Sequence, residues 1–196
     1  MARYTGPKCK LCRREGVKLF LKGEKCEGPK CPLIVRQVPP GGLHKRRSRQ
    51  SDFRTQLREK QKVKRIYSIN EKQFKNYYLE ARESSANTGE ALLAHLERRL
   101  DNVVYRLGLA ASRAQARQKI RHGQFKVSGR LVISPAYEVE SGEVISFKSD
   151  PIADKPTPTW LELLLKEREA KVLSLPSRDQ VTEDINEQLI IEFYSR

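Results

Sequence analysis

Apolar positions change their spacing several times along this chain, and each change marks a new element. Residues 1–45 show little periodicity. Gly6, Gly16, Gly23, Gly28, Gly41 and Gly42 fall there with Pro7, Pro29, Pro32, Pro39 and Pro40, so the segment reads as irregular. From Ser51 the pattern turns helical. Ser51 or Asp52 is a suitable cap for a helix reaching about Tyr67. A second helix is expected after Asn70, with Glu71 in its first turn, Ile69 stapled onto Phe74, and Phe74, Tyr77, Tyr78 and Ala81 facing a core. Residues 84–89 read as a break. Leu92, Leu93, Leu96, Leu100, Val103, Val104 and Leu107 then form one stripe, predicting a single amphipathic helix ended by Gly108. Ser112 is placed to cap a short helix from Arg113 to about Arg121, with Gly123 just past its end.

The period then falls to two. Phe125 and Val127, a Ser-Gly pair, and Leu131, Val132 and Ile133 predict a hairpin. Val139, the Ser141-Gly142 pair, and Val144, Ile145 and Phe147 predict another. Residues 149–159 read as a linker. The remaining chain predicts a helix over Trp160 to Lys171 and a strand-like run over residues 189–194. The expected class is α+β, a mostly helical body with an inserted helix-and-hairpin module. The expected divisions are a basic N-terminal segment at 1–50, a helical body at 51–89, the module at 90–158 with its compact part at 90–148, and a tail at 159–196 packing back on the body.

Charge gives this layout a purpose. The net charge is +15, unevenly spread. Residues 1–65 hold 20 Lys and Arg against 5 Asp and Glu, and residues 98–130 hold 9 against 1, whereas 66–97 hold 3 against 5 and 131–196 hold 7 against 13. Two separated basic blocks are the footprint of a polyanion. No basic helix shows the wide apolar, aromatic-bearing face that would insert into a membrane surface. No apolar run is long enough to span a bilayer, and the N-terminus lacks the apolar stretch of a signal peptide. A cytoplasmic, reducing location is therefore expected.

All four cysteines lie in the irregular segment, spaced Cys-x2-Cys-x13-Cys-x4-Cys at Cys9, Cys12, Cys26 and Cys31. A segment so poor in apolar residues needs a staple. Reduced thiols at this spacing point to a structural four-thiolate metal site, zinc first. An iron–sulfur cluster and disulfides stay open as alternatives. Lys8, Lys10, Arg13 and Arg14 would favour the thiolates. Four filled positions leave none for a catalytic water.

The second basic block centres on the helix after Ser112. Arg113, Arg117 and Arg121 recur every four residues and are expected to line one face, offering guanidiniums to phosphates. Lys119, His122, Lys126 and Arg130 extend that patch onto the first hairpin. No carboxylate occurs between Asp101 and Glu138 to neutralise it. From the first block, Lys45, Arg46, Arg47, Arg49, Arg54, Arg58, Lys60, Lys62, Lys64 and Arg65 are the candidate contacts, the last six on a helix that is basic nearly all round.

Residues 99–110, followed by Ser-Arg-Ala-Gln-Ala-Arg-Gln at 112–118, Val-Ser-Gly-Arg at 127–130 and Ser-Gly-Glu-Val-Ile at 141–145, resemble the RNA-binding module named for small-ribosomal-subunit protein four. That module also occurs on pseudouridine synthases, tyrosyl-tRNA synthetases and heat-shock proteins. The flanks resemble the ribosomal family itself: residues 56–67 and 70–74, Pro-Thr-Trp-Leu-Glu at 158–162, Leu-Pro-Ser-Arg at 175–178, and residues 186–195. The cysteines match its bacterial-type, four-cysteine subset. One departure is Pro-Gly-Gly-Leu-His-Lys-Arg-Arg at 40–47, where the family has Pro-Gly-x-His-Gly, so no loop contact is carried over. The resemblance implies a structural protein that binds the 5′ domain of 16S rRNA directly and early in assembly of the small (30S) subunit. It implies a part in decoding fidelity, with small-subunit proteins three and five and the path by which messenger RNA enters as neighbours. No small-molecule substrate is implied.

Enzyme readings find little footing. Arg99-Leu100-Asp101 resembles the pseudouridine synthase signature whose Asp is the nucleophile, yet here Asp101 falls within an amphipathic helix. No phosphate-cradling Gly-x4-Gly-Lys loop and no nucleophile elbow occurs. The other reading is a free-standing RNA-binding or ribosome-quality-control factor built on the same module.

Overall fold

The computed structural model describes residues 4–41, 51–84, 87–148, 150–152 and 156–196. They group into two compact units, residues 1–79 with 184–196, and residues 80–183. No described helix is long and apolar enough to cross a membrane.

In the first unit the cysteine-bearing segment holds three short helices: α1 (Lys8–Glu15), α2 (Glu24–Glu27) and α3 (Pro32–Val35). The sequence reading expected no regular structure here. Local signals supply it: Gly16 takes φ +77 and returns its N–H to Cys12 O, and Pro32 opens α3 with its ring already at helical φ. The next helix, α4 (Asp52–Ile66), starts where Ser51 Oγ accepts from Arg54 N. Gln56, Lys60, Val63 and Ile66 share its buried face. A further helix, α5 (Glu71–Glu83), starts at Asn70, whose Oδ1 accepts from Gln73 N at 2.8 Å.

The last helix, which becomes α9 in chain order, is Glu187–Tyr194. The sequence reading expected a strand there. A continuous apolar run carries no period of its own, and here Asn186 Oδ1 accepts from Leu189 N and starts a helix. It packs on α4, with Gln56 Nε2 donating to Glu192 at 2.9 Å. Phe53 lies against Phe193 in a tilted pair at 5.7 Å, and Tyr194 meets Phe74 and Tyr78 at 6.2 and 4.7 Å.

The second unit is a five-stranded antiparallel sheet with helices on its apolar face. Its helices are α6 (Thr88–Glu97), α7 (Leu100–Arg106) and α8 (Arg113–Arg121). Its strands are β1 (Phe125–Val127), β2 (Arg130–Leu131), β3 (Val144–Phe147), β4 (Leu161–Leu164) and β5 (Glu169–Val172), in the order β2-β1-β3-β5-β4. The core joins Leu100, Val103, Val104 and Leu107 to Ala116 and Ile120, and then to Phe125, Ile145, Phe147, Trp160 and Val172. Each such large side chain contributes roughly 1.5–3 kcal/mol by leaving water.

Three expectations are corrected in this unit. The long helix is two helices, because Arg99 is extended and bridges Glu138. Leu100 N donates to Tyr137 O, and Val139 N to Arg98 O. These backbone pairings use up residues 137–139, so Ser141-Gly142 closes no hairpin, and β3 pairs with β1 and β5 instead. The helix expected at Trp160–Lys171 is the β4–β5 hairpin, with Arg168 at φ +56 in its turn. Leu-rich sequence favours a helix locally, but pairing on β3 buries Ala170 and Val172 at alternate positions. The first hairpin forms as read, and its turn places Ser128 and Gly129 both at positive φ, +46 and +78.

Candidate functional site

The helix that organises the basic patch starts where Ser112 Oγ accepts from Gln115 N. Ala116 and Ile120 turn into the core. Helical geometry puts Arg113 and Arg117 near the same side, and the structure buries both, at 6% and 5% exposure. Arg113 Nε donates to Asn102 Oδ1 at 2.8 Å, and its Nη2 reaches Glu183 at 2.5 Å. Arg117 Nη1 lies 3.5 Å from Asp101 Oδ2. The expected face of three solvent-directed arginines is therefore corrected. Two are held inside by carboxylates from α7 and from residue 183, and Arg121 alone is exposed.

Those carboxylates belong to a buried network. Asp101 accepts both Nε and Nη2 of Arg99, at 3.0 and 2.7 Å. Glu97 accepts from Asn102 and from Arg106 on α7, and Arg106 also pairs with Glu183. Burial alone would raise the Glu183 carboxyl, but the Arg113 and Arg106 charges overcome it and hold it at about 2. The network fixes α8 against α7 and so sets where its C-terminal end stands.

That end carries the exposed patch. Arg121 and His122, Lys126 on the outer face of β1, and Arg130 on β2 all face solvent. A Cβ at Gly123 would meet Leu131 at 3.5 Å, which shows the hairpin folded against the end of α8. Among the described residues, no carboxylate lies within ion-pair distance of these four side chains. Lys119 is half-buried and donates to Leu109 O at 2.8 Å, and burial lowers its ammonium pKa.

On α4 the candidate cations meet few anions. Arg58 and Arg65 share Glu15, and Lys60 and Lys64 share Glu71, at 2.6 and 2.9 Å for the lysines. Lys62 pairs with Glu59. Lys60 is 4% exposed, over the Phe193 ring at 4.2 Å, so its expected outward contact is corrected as well. Arg54 is exposed. Five of these cations share three carboxylates, and Arg54 adds a sixth charge, so the helix stays positive. Burial would raise Glu71, yet hydrogen bonds from Lys60, Lys64 and Tyr194 hold it at about 2. Burial raises Glu15 despite its arginines. Lys45, Arg46, Arg47 and Arg49 lie outside the described residues.

Cys12, Cys26 and Cys31 are buried and Cys9 is half-buried, and none forms a disulfide. Backbone N–H groups point at two sulfurs, Leu19 at Cys12 and Lys22 at Cys26, the latter at 3.3 Å. Burial, and then the neighbouring sulfurs, push the Cys12 and Cys26 thiols up. Four soft donors, mostly dry and partly hydrogen-bonded, fit a closed structural metal. They would have to draw in to close on one. Among the described residues, the one set of three ligating groups within 4.8 Å of one another is Glu80, His95 and Glu138. That set is already engaged: His95 Nδ1 lies 2.9 Å from Glu138, and Arg98 lies 3.8 Å from the same oxygen.

Reading the sequence missed the roles of Glu97, Arg106 and Glu183. Asp101 carried a signal, as the lone carboxylate among nine cations. Glu183 carried none, standing 70 residues from Arg113.

Residues 3–97 match the family described as Ribosomal protein S4/S9 N-terminal domain, and residues 98–145 match the S4 domain. The small ribosomal subunit protein uS4 of Acidothermus cellulolyticus is 51% identical over the full length of both chains. The uS4 of Halothermothrix orenii is 50% identical and the uS4A of Symbiobacterium thermophilum 48%, again with both chains fully covered.

Proposed function

The chain belongs to the small ribosomal subunit protein uS4 family, and from that premise we propose that it is a structural, non-enzymatic protein of the small ribosomal subunit that binds 16S rRNA directly. Its surroundings are the cytoplasmic ribosome. The observation that carries the reading is the exposed, carboxylate-free run of Arg121, His122, Lys126 and Arg130 on the module. Double-helical RNA is read mainly through phosphates, 2′-hydroxyls and shape. A rigid surface of cations suits that, because the buried Arg113 and Arg117 network holds α8, whose end presents Arg121 and His122, and the hairpin folded against that end presents Lys126 and Arg130. The positive surface of α4 supplies a second contact region. The target is the 5′ domain, engaged early in assembly. Small-subunit proteins three and five and the path by which messenger RNA enters are the neighbours, and the contribution to translation includes decoding fidelity.

The same proposal includes one structural metal on Cys9, Cys12, Cys26 and Cys31, zinc before an iron–sulfur cluster. It would hold α1 to α2, which carries Cys26, and to the start of α3 at Cys31, and take part in no reaction.

Sedimentation tests the function. After a high-salt wash that strips transient factors, the protein is expected to remain with dissociated small subunits. Quantitative loss to the supernatant would favour a free-standing RNA-binding or quality-control factor.

A further inference from the structure

Phe20, in the cysteine-bearing segment, is 42% exposed and has φ +47, a left-handed backbone that a bulky side chain seldom adopts. Its neighbours account for the backbone. Leu19 and Leu21 on either side are both buried. Leu19 N–H points at Cys12 Sγ, and the N–H groups of Leu21 and Lys22 point at Cys26 Sγ. Sending both leucines inward and three amides toward sulfurs forces a sharp bend at position 20.

The bend does not account for the ring. Glycine reaches a positive φ without strain, as Gly16 and Gly23 do nearby. A phenylalanine here adds strain and leaves an aromatic face in water. Among the described residues, no second ring and no cation lies against it. Strain kept in this way marks sites of function.

Charge indicates what the ring meets. From residue 8 to residue 22 the chain carries six cations against one carboxylate, Glu15, which is already shared by Arg58 and Arg65. Lys18 and Lys22 stand two residues to either side of Phe20, so their Cα atoms lie within about 7 Å of its own. Among the described residues, neither lysine is in an ion pair. The next carboxylates, Glu24 and Glu27, lie beyond the turn at Gly23 and are offset by Lys25 and Lys30. An apolar protein surface would have to strip water from the two lysines to reach the ring. A nucleotide brings a base for the ring and phosphates for the lysines.

We propose that Phe20 stacks on one unpaired base of the bound RNA, with Lys18 and Lys22 meeting the phosphates beside it. The proposal rests on the RNA-binding reading above. It adds a place in the cysteine segment where a base, rather than the backbone alone, is held.

Phe20→Gly separates the ring from the bend. Binding to a transcript of the 16S 5′ domain is measured across a salt series, with limited proteolysis of residues 1–41 as the structural control. The variant is expected to bind roughly five- to hundredfold more weakly, the scale of one stacked base. The salt slope should not change, because stacking releases no counterion, whereas Lys22→Ala should reduce it by about one. Phe20→Gly should resist proteolysis as well as the native chain, because glycine accepts the bend. Phe20→Tyr should bind like the native chain, and Phe20→Leu should lose most of what Phe20→Gly loses. Native affinity in Phe20→Gly or in Phe20→Leu would overturn the proposal. So would a loss in Phe20→Gly that comes with a changed salt slope or a protease-sensitive segment, since either would make the ring a structural part of the bend. Failure of the RNA reading itself is seen separately, as a native chain that does not select the rRNA transcript over an unrelated RNA.

Discussion

Replacing Arg117 and Arg121 by alanine, one at a time, separates fixing the RNA-facing helix from touching RNA. The two residues are one helical turn apart, yet Arg117 is 5% exposed and Arg121 faces solvent. Arg117→Ala removes an ion pair to Asp101 at 3.5 Å, while Asp101 keeps both contacts to Arg99. The carboxylate is not abandoned, so the full 3–5 kcal/mol or so of a broken buried pair does not apply. What remains is a lost charged contact and the space of a truncated side chain, about 1–3 kcal/mol. In a unit of this size about 1 kcal/mol moves the midpoint by roughly 4–8 °C. The chain's single tryptophan, Trp160, is buried in that same core, so its fluorescence reports this unit's melting. Arg117→Ala is expected to lower that midpoint by about 4–24 °C, and to weaken RNA binding only as far as it loosens α8. Arg121→Ala should leave the midpoint unchanged, cost about 1–2 kcal/mol of rRNA affinity and reduce the salt slope by about one. A stable Arg117→Ala with poor binding, beside an Arg121→Ala that binds normally, would refute this division of roles.

Glu183 has an ordinary value of 4.5 and is held at about 2, so its contribution is complete above pH 4.5 and is lost as pH falls through about 2. The Trp160 transition should weaken across that window by up to about 3 kcal/mol, and Glu183→Gln should flatten the dependence; an unchanged acid profile would contradict the network. Metal analysis of native protein is expected to find about one equivalent of zinc or a bound iron–sulfur cluster, and less than half an equivalent would remove the site. Cys9→Ser should expose residues 1–41 to proteolysis while the Trp160 transition stays at its native midpoint, since metal and fold are linked only in that segment. Gly129→Ala should cost about 1 kcal/mol, because φ +78 strains any side chain while no atom lies within 4 Å to clash.

Sequence alone reached what local chemistry decides. Ser51 and Ser112 begin helices, Ser128 and Gly129 turn a hairpin, and Phe74, Tyr77 and Tyr78 are core. It failed where distant partners decide. Residues 161–172 have helical composition and become strands because β3 offers an edge to pair with. Residues 189–194 resemble a strand and fall in the helix Glu187–Tyr194 because Asn186 caps it and α4 receives its face. The Arg-x3-Arg-x3-Arg spacing correctly placed three arginines on one helix. It could not show that two of them would turn inward, since Glu183 stands 70 residues from Arg113 and Asp101 reaches Arg117 only once α7 packs on α8. The patch that remains is smaller than expected but better defined.

Selective binding of small-subunit rRNA is read out by competition across a salt series. A transcript of the 16S 5′ domain would be bound against an unrelated structured RNA of equal length. Phosphate contacts alone lose affinity for both RNAs steeply and in parallel as salt rises. The rRNA transcript is expected to stay bound at salt concentrations that release the competitor. Indistinguishable affinities at every salt concentration would contradict it and leave a general RNA binder.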